Sequence, residues 1–210
     1  VGVVFFLGDW TQYGDLDSLS IVLSGKGGVG KNILVIPGDH DLAASVDAGD
    51  LSGLKNFTEV FGNNMHLYEN RGYTFMLFDN SPNFSKVSEE DLAWFEDSLD
   101  KADFVILSQP LYHPTNPRIM GMFEGDIVST VRVQAEEMLT NIRESKTQAI
   151  IAADQHFFSK NIDTERASLS HIVVGALISN KSSFRNPQSS RYAILRIYER
   201  GDYKVEEVVL

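Results

Sequence analysis

The 210-residue chain is 43% hydrophobic and 22% charged, a balance that suits one globular fold of ordinary size and excludes a disordered arm. A formal net charge of −11 and an isoelectric point near 4.8 exclude a duplex nucleic-acid grip built on clustered Lys and Arg. With no cysteine there is no disulfide, thiolate metal site or cysteine nucleophile, and with so acidic a balance an anionic substrate would need a bound cation as helper.

The elements follow in chain order. "VGVVFFLGD" is a β-branched and aromatic run stopped by Gly8-Asp9, the pattern of a buried strand feeding a loop. Leu16, Leu19, Ile21 and Leu23 lie in a segment opened by Asp15 and closed by Gly25, which predicts a helix. A second strand, Ile33 to Ile36, ends at Pro37-Gly38. "MHLYEN" and "YTFMLFDN", joined by Arg71-Gly72, predict two paired strands. Ser88 caps a helix with Leu92, Phe95 and Leu99 as its buried stripe. "DFVIL" is another buried strand, Val131, Ala135, Met138, Leu139 and Ile142 mark a further helix, and "AIIAADQH" repeats the pattern of strand and polar cluster. The tail "YAILRIYERGDYKVEEVVL" is a hairpin turning at Gly201-Asp202. No apolar stretch approaches the roughly 20 residues that span a bilayer. His66 and His171 sit beside apolar strand residues and are expected to serve packing.

Helices and strands alternate, so the expected class is α/β (α+β), where ligands bind outside the carboxyl ends of strands. Four such ends carry polar clusters: Gly8-Asp9, Gly38-Asp39-His40-Asp41, Ser108-Gln109-Pro110 and Asp154-Gln155-His156. One other stretch invites a different reading. Gly25 to Lys31 matches GxxxxGK, but Asn32 stands where a phosphate loop needs Ser or Thr. Its order is also reversed, with a helix before it and a strand after it, whereas phosphate binding needs a helix N-terminus after the loop. A Gly-rich connection is the expected reading there.

Oxygen and nitrogen ligands converging from separate strand ends are what a binuclear metal site needs. Asp9 is placed to bridge two cations and His40 to protonate a leaving group. At this point the chain resembles the calcineurin-like metallophosphoesterases, whose ordered motifs are D-x-H, G-D, G-N-H-[DE], a His followed by x-Pro, and G-H-x-H. "VVFFLGDWTQYGD", "ILVIPGDHD", "YTFMLFDNS", "SQPLYHP" and "AIIAADQHFFS" carry the resemblance along nearly the whole chain. It implies a four-layer αββα sandwich over residues 1–210, with a first strand and its D-x-H expected upstream of Val1, and it leans towards an extracytoplasmic protein. It also implies a hydrolase that cleaves a phosphate mono- or diester through a metal-bound hydroxide.

Carried over by position, Asp9 fills the bridging slot, His40 the general-acid slot with Asp41 beside it, and His156 the last histidine slot. Asp39 stands where the family places Asn, Ser108 fills the middle histidine slot, and Asp154 replaces the first histidine of the final pair. The resemblance thus gives one cation Asp9 and His156, and the other Asp9, Asp39, Ser108 and Asp154. Oxygen donors in place of imidazoles shift the second site from Zn or Fe towards Mg, Mn or Ca. Three close carboxylates without a cation repel, so one is expected to take up a proton. His113 is a possible substitute ligand, read otherwise as a loop histidine, and Ser108 is read otherwise as a vestige. Trp10, Tyr13 and Tyr112 are candidates for the cleft mouth. The alternative to an enzyme is a phosphoesterase-fold domain that has lost catalysis and acts as a binding or structural module. Its protein partner is unknown.

Overall fold

The computed structural model describes residues 2–27, 32–82, 85–123, 125–178 and 189–210. In chain order the elements are β1 (Val3–Leu7), α1 (Leu16–Gly27), β2 (Asn32–Ile36), α2 (Asp39–Asp47), α3 (Lys55–Phe61), β3 (His66–Asn70) and β4 (Tyr73–Phe78). Then come α4 (Glu89–Leu99), β5 (Phe104–Leu107), β6 (Met122–Phe123), β7 (Asp126–Ile127), α5 (Ser129–Glu144) and β8 (Ala149–Ala152). β9 (Ser159–Ile162), β10 (Ser170–Val173), β11 (Arg191–Ile197) and β12 (Tyr203–Val209) complete the series.

Local chemistry explains most boundaries. Asp15 caps α1, its carboxylate accepting from the Ser18 amide at 2.9 Å, and Ser88 caps α4 by accepting from the Asp91 amide at 3.1 Å. β3 and β4 meet through a two-residue turn in which Arg71 (φ 52°) and Gly72 (φ 84°) both take left-handed backbone, the pairing that matches strand twist. β11 and β12 pair antiparallel from Arg191 opposite Val209 to Ile197 opposite Tyr203.

The principal sheet has six strands in the order β3-β4-β5-β8-β10-β9, with β4, β5, β8 and β10 parallel. Every residue of β5 and β8 is buried, because both faces of the sheet are covered. Val105, Leu107, Ile150 and Ala152 face α4 and α5 through Phe95, Leu99, Met138 and Ile142. The alternate residues Phe104, Ile106, Ala149 and Ile151 point the other way, into a core shared with Phe5, Leu7 and Ile36 and with Leu195, Ile197 and Val205 of the terminal hairpin. On the far side of the parallel β1–β2 pair, Phe6, Ile33 and Val35 pack on Leu19 of α1 and Phe57 of α3. Three apolar layers between helices, strands, strands and helices make the four-layer αββα sandwich. No helix among the described residues is long and apolar enough to cross a membrane.

Candidate metal centre

Parallel strands point their carboxyl ends the same way, and the loops that leave them meet. The Ser108 hydroxyl, just past β5, donates to the Pro37 carbonyl just past β2 at 2.6 Å, and the Ala153 amide past β8 donates to the Ser108 carbonyl at 3.2 Å. Below them Asn80 and Gln109 exchange bonds, Asn80 Nδ2 to the Gln109 carbonyl at 2.9 Å and the Gln109 amide to Asn80 Oδ1 at 3.0 Å.

The β1 and β2 loops approach closely. A Cβ on Gly8 (φ 99°) would fall 2.6 Å from the Gly38 backbone, and one on Gly38 would fall 2.1 Å from Asp9 Oδ1. Asp9 itself has φ 53°, Asp154 φ 64° and His156 φ 62°. Left-handed backbone at non-glycine residues costs on the order of 1 kcal/mol each and gathers at functional sites. Three of the four such residues among those described belong to these strand-end clusters.

Asp9, Asp39 and His40 each offer a donor atom within 4.8 Å of the others. The polar run after β2 is the first turn of α2 rather than loop, so the His40 amide lies 3.4 Å from Asp9 Oδ1 and 3.1 Å from Asp39 Oδ1. The Asp9 carboxyl is pushed up to about 7, first by burial and then by the charges of Asp39, Asp41 and Asp154, against the opposing pull of His40. Burial works against the His40 imidazolium, but the Gln12 carbonyl and the nearby carboxylates of Asp9, Asp39 and Asp41 leave it raised. Its Nδ1 lies 3.0 Å from that carbonyl and 3.1 Å from the Gln12 side-chain amide, so Gln12 occupies this nitrogen and Nε2 is the one left to turn towards a ligand. Gln12 carried no signal in the sequence.

Asp41 stands apart from the chemistry. Fully buried, its carboxylate accepts from the amides of Trp10 (3.1 Å), Thr11 (2.9 Å) and Gly38 (3.0 Å) and from the Thr11 hydroxyl (3.1 Å). It binds the β1 loop to the start of α2, and Gln12 rather than Asp41 orients the His40 ring.

The remaining positions are spoken for within the chain. Asp154 receives both Nε (2.7 Å) and Nη2 (2.8 Å) of Arg118, a forked ion pair. The Ser108 hydroxyl is buried on Pro37, away from any ligand role. His113 accepts at Nδ1 from the Thr115 and Asn116 amides and donates at Nε2 to Ser159 Oγ at 3.1 Å, so both ring nitrogens are committed and no substitute ligand results. His156 lies outside the Asp9–Asp39–His40 set, and its imidazolium is disfavoured by burial and then by Arg118. Trp10 stacks on Phe6 at 4.1 Å in the α1–α3 layer, Tyr13 donates to Asp47 at 2.6 Å, and Tyr112 packs against the His171 ring at 5.0 Å. For the Gly-rich stretch, α1 runs into it as far as Gly27, where a connection was expected, and β2 follows it; Gly28 to Lys31 lie outside the described residues.

Two carboxylates and an imidazole are an oxygen-rich set that suits a hard or borderline divalent ion. The set proposed for a second ion does not fit one, because the Ser108 hydroxyl and the Asp154 carboxylate are already engaged.

No family model matches the chain, and no curated protein matches it. Solved structures do. A dimetal phosphatase of Danio rerio superposes with a TM-score of 0.62 at 15% identity, over 98% of this chain and 83% of its own. The chain shares the fold of this phosphatase. A purple acid phosphatase from yellow lupin (Lupinus luteus) seeds superposes with a TM-score of 0.68 at 13% identity, over 100% of this chain and 44% of the larger enzyme. GAP50, described as the anchor in the inner membrane complex of Plasmodium, gives 0.61 at 13% identity over 100% of this chain and 74% of its own.

Proposed function

We propose that the chain is a metal-dependent phosphoesterase, a hydrolase of a phosphate mono- or diester. The carrying observation is that Asp9, Asp39 and His40 converge within 4.8 Å at the carboxyl ends of β1 and β2, on a fold shared with a dimetal phosphatase. Asp9 and Asp39 would hold a divalent cation, which supplies positive charge at the phosphoryl oxygens and lowers the pKa of water. His40, turned by the Gln12 carbonyl, presents Nε2 to the site, and its raised affinity for a proton suits donation to a leaving oxygen. Asp41 fixes both loops from beneath.

The test is turnover of aryl phosphate mono- and diesters after loading with Mn or Mg. Turnover should vanish with a chelator, and His40→Ala should lower kcat by about 10²–10⁴-fold, the usual contribution of a general acid. Silence across Mn, Mg, Zn and Ca would favour the second reading, a binding or structural module that has lost catalysis. The engagement of Ser108 and Asp154 within the chain supports that reading, and GAP50, of similar fold, is described as an anchor.

A further inference from the structure

The Arg118–Asp154 ion pair lies where the resemblance puts part of a second cation's ligand set, and it changes what that half of the site does. Asp154 follows β8 by two residues, in a loop tied through Ala153 and Ser108 to Pro37 and so to the loop carrying Asp39 and His40. Arg118 reaches Asp154 from the segment between β5 and β6. It is placed by the Gln155 amide group, which donates to the Arg118 carbonyl at 2.6 Å, and by the Phe123 ring, whose centroid lies 4.6 Å from the guanidinium carbon. Its side chain keeps 31% of its surface exposed while that of Asp154 keeps 9%. The pair is therefore open on the guanidinium side.

Burial works against the Arg118 charge, but Asp154 and, more weakly, Asp39 and Asp9 favour it, so the guanidinium lies within electrostatic reach of the acidic cluster. In a chain with a net charge of −11, it is a fixed cation at a site otherwise lined by carboxylates. Nε and Nη2 are spent on Asp154. The remaining N–H groups of the planar fork have no acceptor among the described residues, the arrangement that suits a phosphoryl oxygen.

We propose that the Arg118 guanidinium, oriented by Asp154, replaces the second cation: the site takes at most one divalent ion, and Arg118 binds a phosphoryl oxygen of the substrate directly. This rests on the phosphoesterase reading for the identity of the anion. Arg118 is then a substrate-binding residue and Asp154 its positioning residue, not a metal ligand. An arginine cannot be titrated away in the working range, so this half of the site keeps its charge without metal loading.

The experiment reads two equilibria on the full chain, Mn stoichiometry by equilibrium dialysis with metal analysis and inorganic phosphate affinity by calorimetry. The unmodified chain should saturate at one Mn. Arg118→Gln should keep that count and weaken phosphate binding by about 10-fold or more, the size expected for a lost charge-assisted contact. Arg118→Lys should recover part of the loss, and Asp154→Asn should weaken phosphate binding by a smaller factor while leaving the Mn count at one. The Mn count on the unmodified chain reads the first half of the proposal even if a variant misfolds. Saturation at two Mn, or unchanged phosphate affinity in a folded Arg118→Gln, overturns the proposal and leaves the hydrolase reading standing. Absent turnover with phosphate binding that still depends on Arg118 supports the proposal and removes the hydrolase reading.

Discussion

The two halves of the strand-end site handle negative charge in opposite ways. At the ends of β1 and β2, Asp9, Asp39 and Asp41 gather with His40, and burial, followed by the neighbouring carboxylates, pushes the Asp9 carboxyl up to about 7. At the ends of β5 and β8, one carboxylate, Asp154, is neutralised by a guanidinium at 2.7 and 2.8 Å, and the neighbouring Ser108 hydroxyl is bonded to backbone. On the proposed reading, the first half would take a cation from solution, whereas the second carries a positive charge in the chain. The general lesson is that a ligand slot read from a motif fixes a place in the fold but not the source of the charge that fills it.

That contrast can be broken or sharpened by substitution. The largest effect is expected at Asp9: Asp9→Asn removes the central charge of the first half and should abolish both Mn binding and aryl phosphate turnover. Retained Mn binding in this variant would move the centre away from β1. Asp41→Ala comes next, acting on stability rather than chemistry. It strips one buried and two half-buried amides of their acceptor and should destabilise the fold by about 3 kcal/mol, measured by urea denaturation. A loss below half a kcal/mol would mean that Asp41 does not hold the loops. The smallest effect belongs to the second half. Ser108→Ala removes one neutral hydrogen bond, should cost about 1 kcal/mol, and should leave Mn affinity unchanged. A drop in Mn affinity would restore Ser108 as a ligand.

Periodicity and capping made much of the fold legible. The α5 stripe of Val131, Ala135, Met138, Leu139 and Ile142 is buried as the sequence suggests, and the Arg71-Gly72 turn sits where the chain must reverse. α2 was hidden because Asp39-His40-Asp41, read as a polar strand end, is also an acidic helix first turn, and Asp41 serves as acceptor for the Gly38 amide. β9 was hidden because Ser159–Ile162 is polar and lies at the sheet edge, with little apolar pattern to reveal it. At the site, the sequence placed the strand-end residues near one another in the fold, but partners in space were not readable. Nothing local marks Arg118 as the mate of Asp154 across 36 positions, and nothing marks Gln12, whose backbone carbonyl and side-chain amide both lie against His40 Nδ1. A surplus of carboxylates in the motif slots was the one available hint that a basic side chain had to answer them.

The contact between the Gly8 and Gly38 backbones has a mechanical consequence. With no room for even a methyl group between them, the two loops form a single stiff jaw, and neither can slide to suit a larger or smaller guest. The opposite side is held too, since Arg118 is pinned by Asp154 and the Phe123 ring, so on the proposed reading the cleft would admit a narrow range of esters.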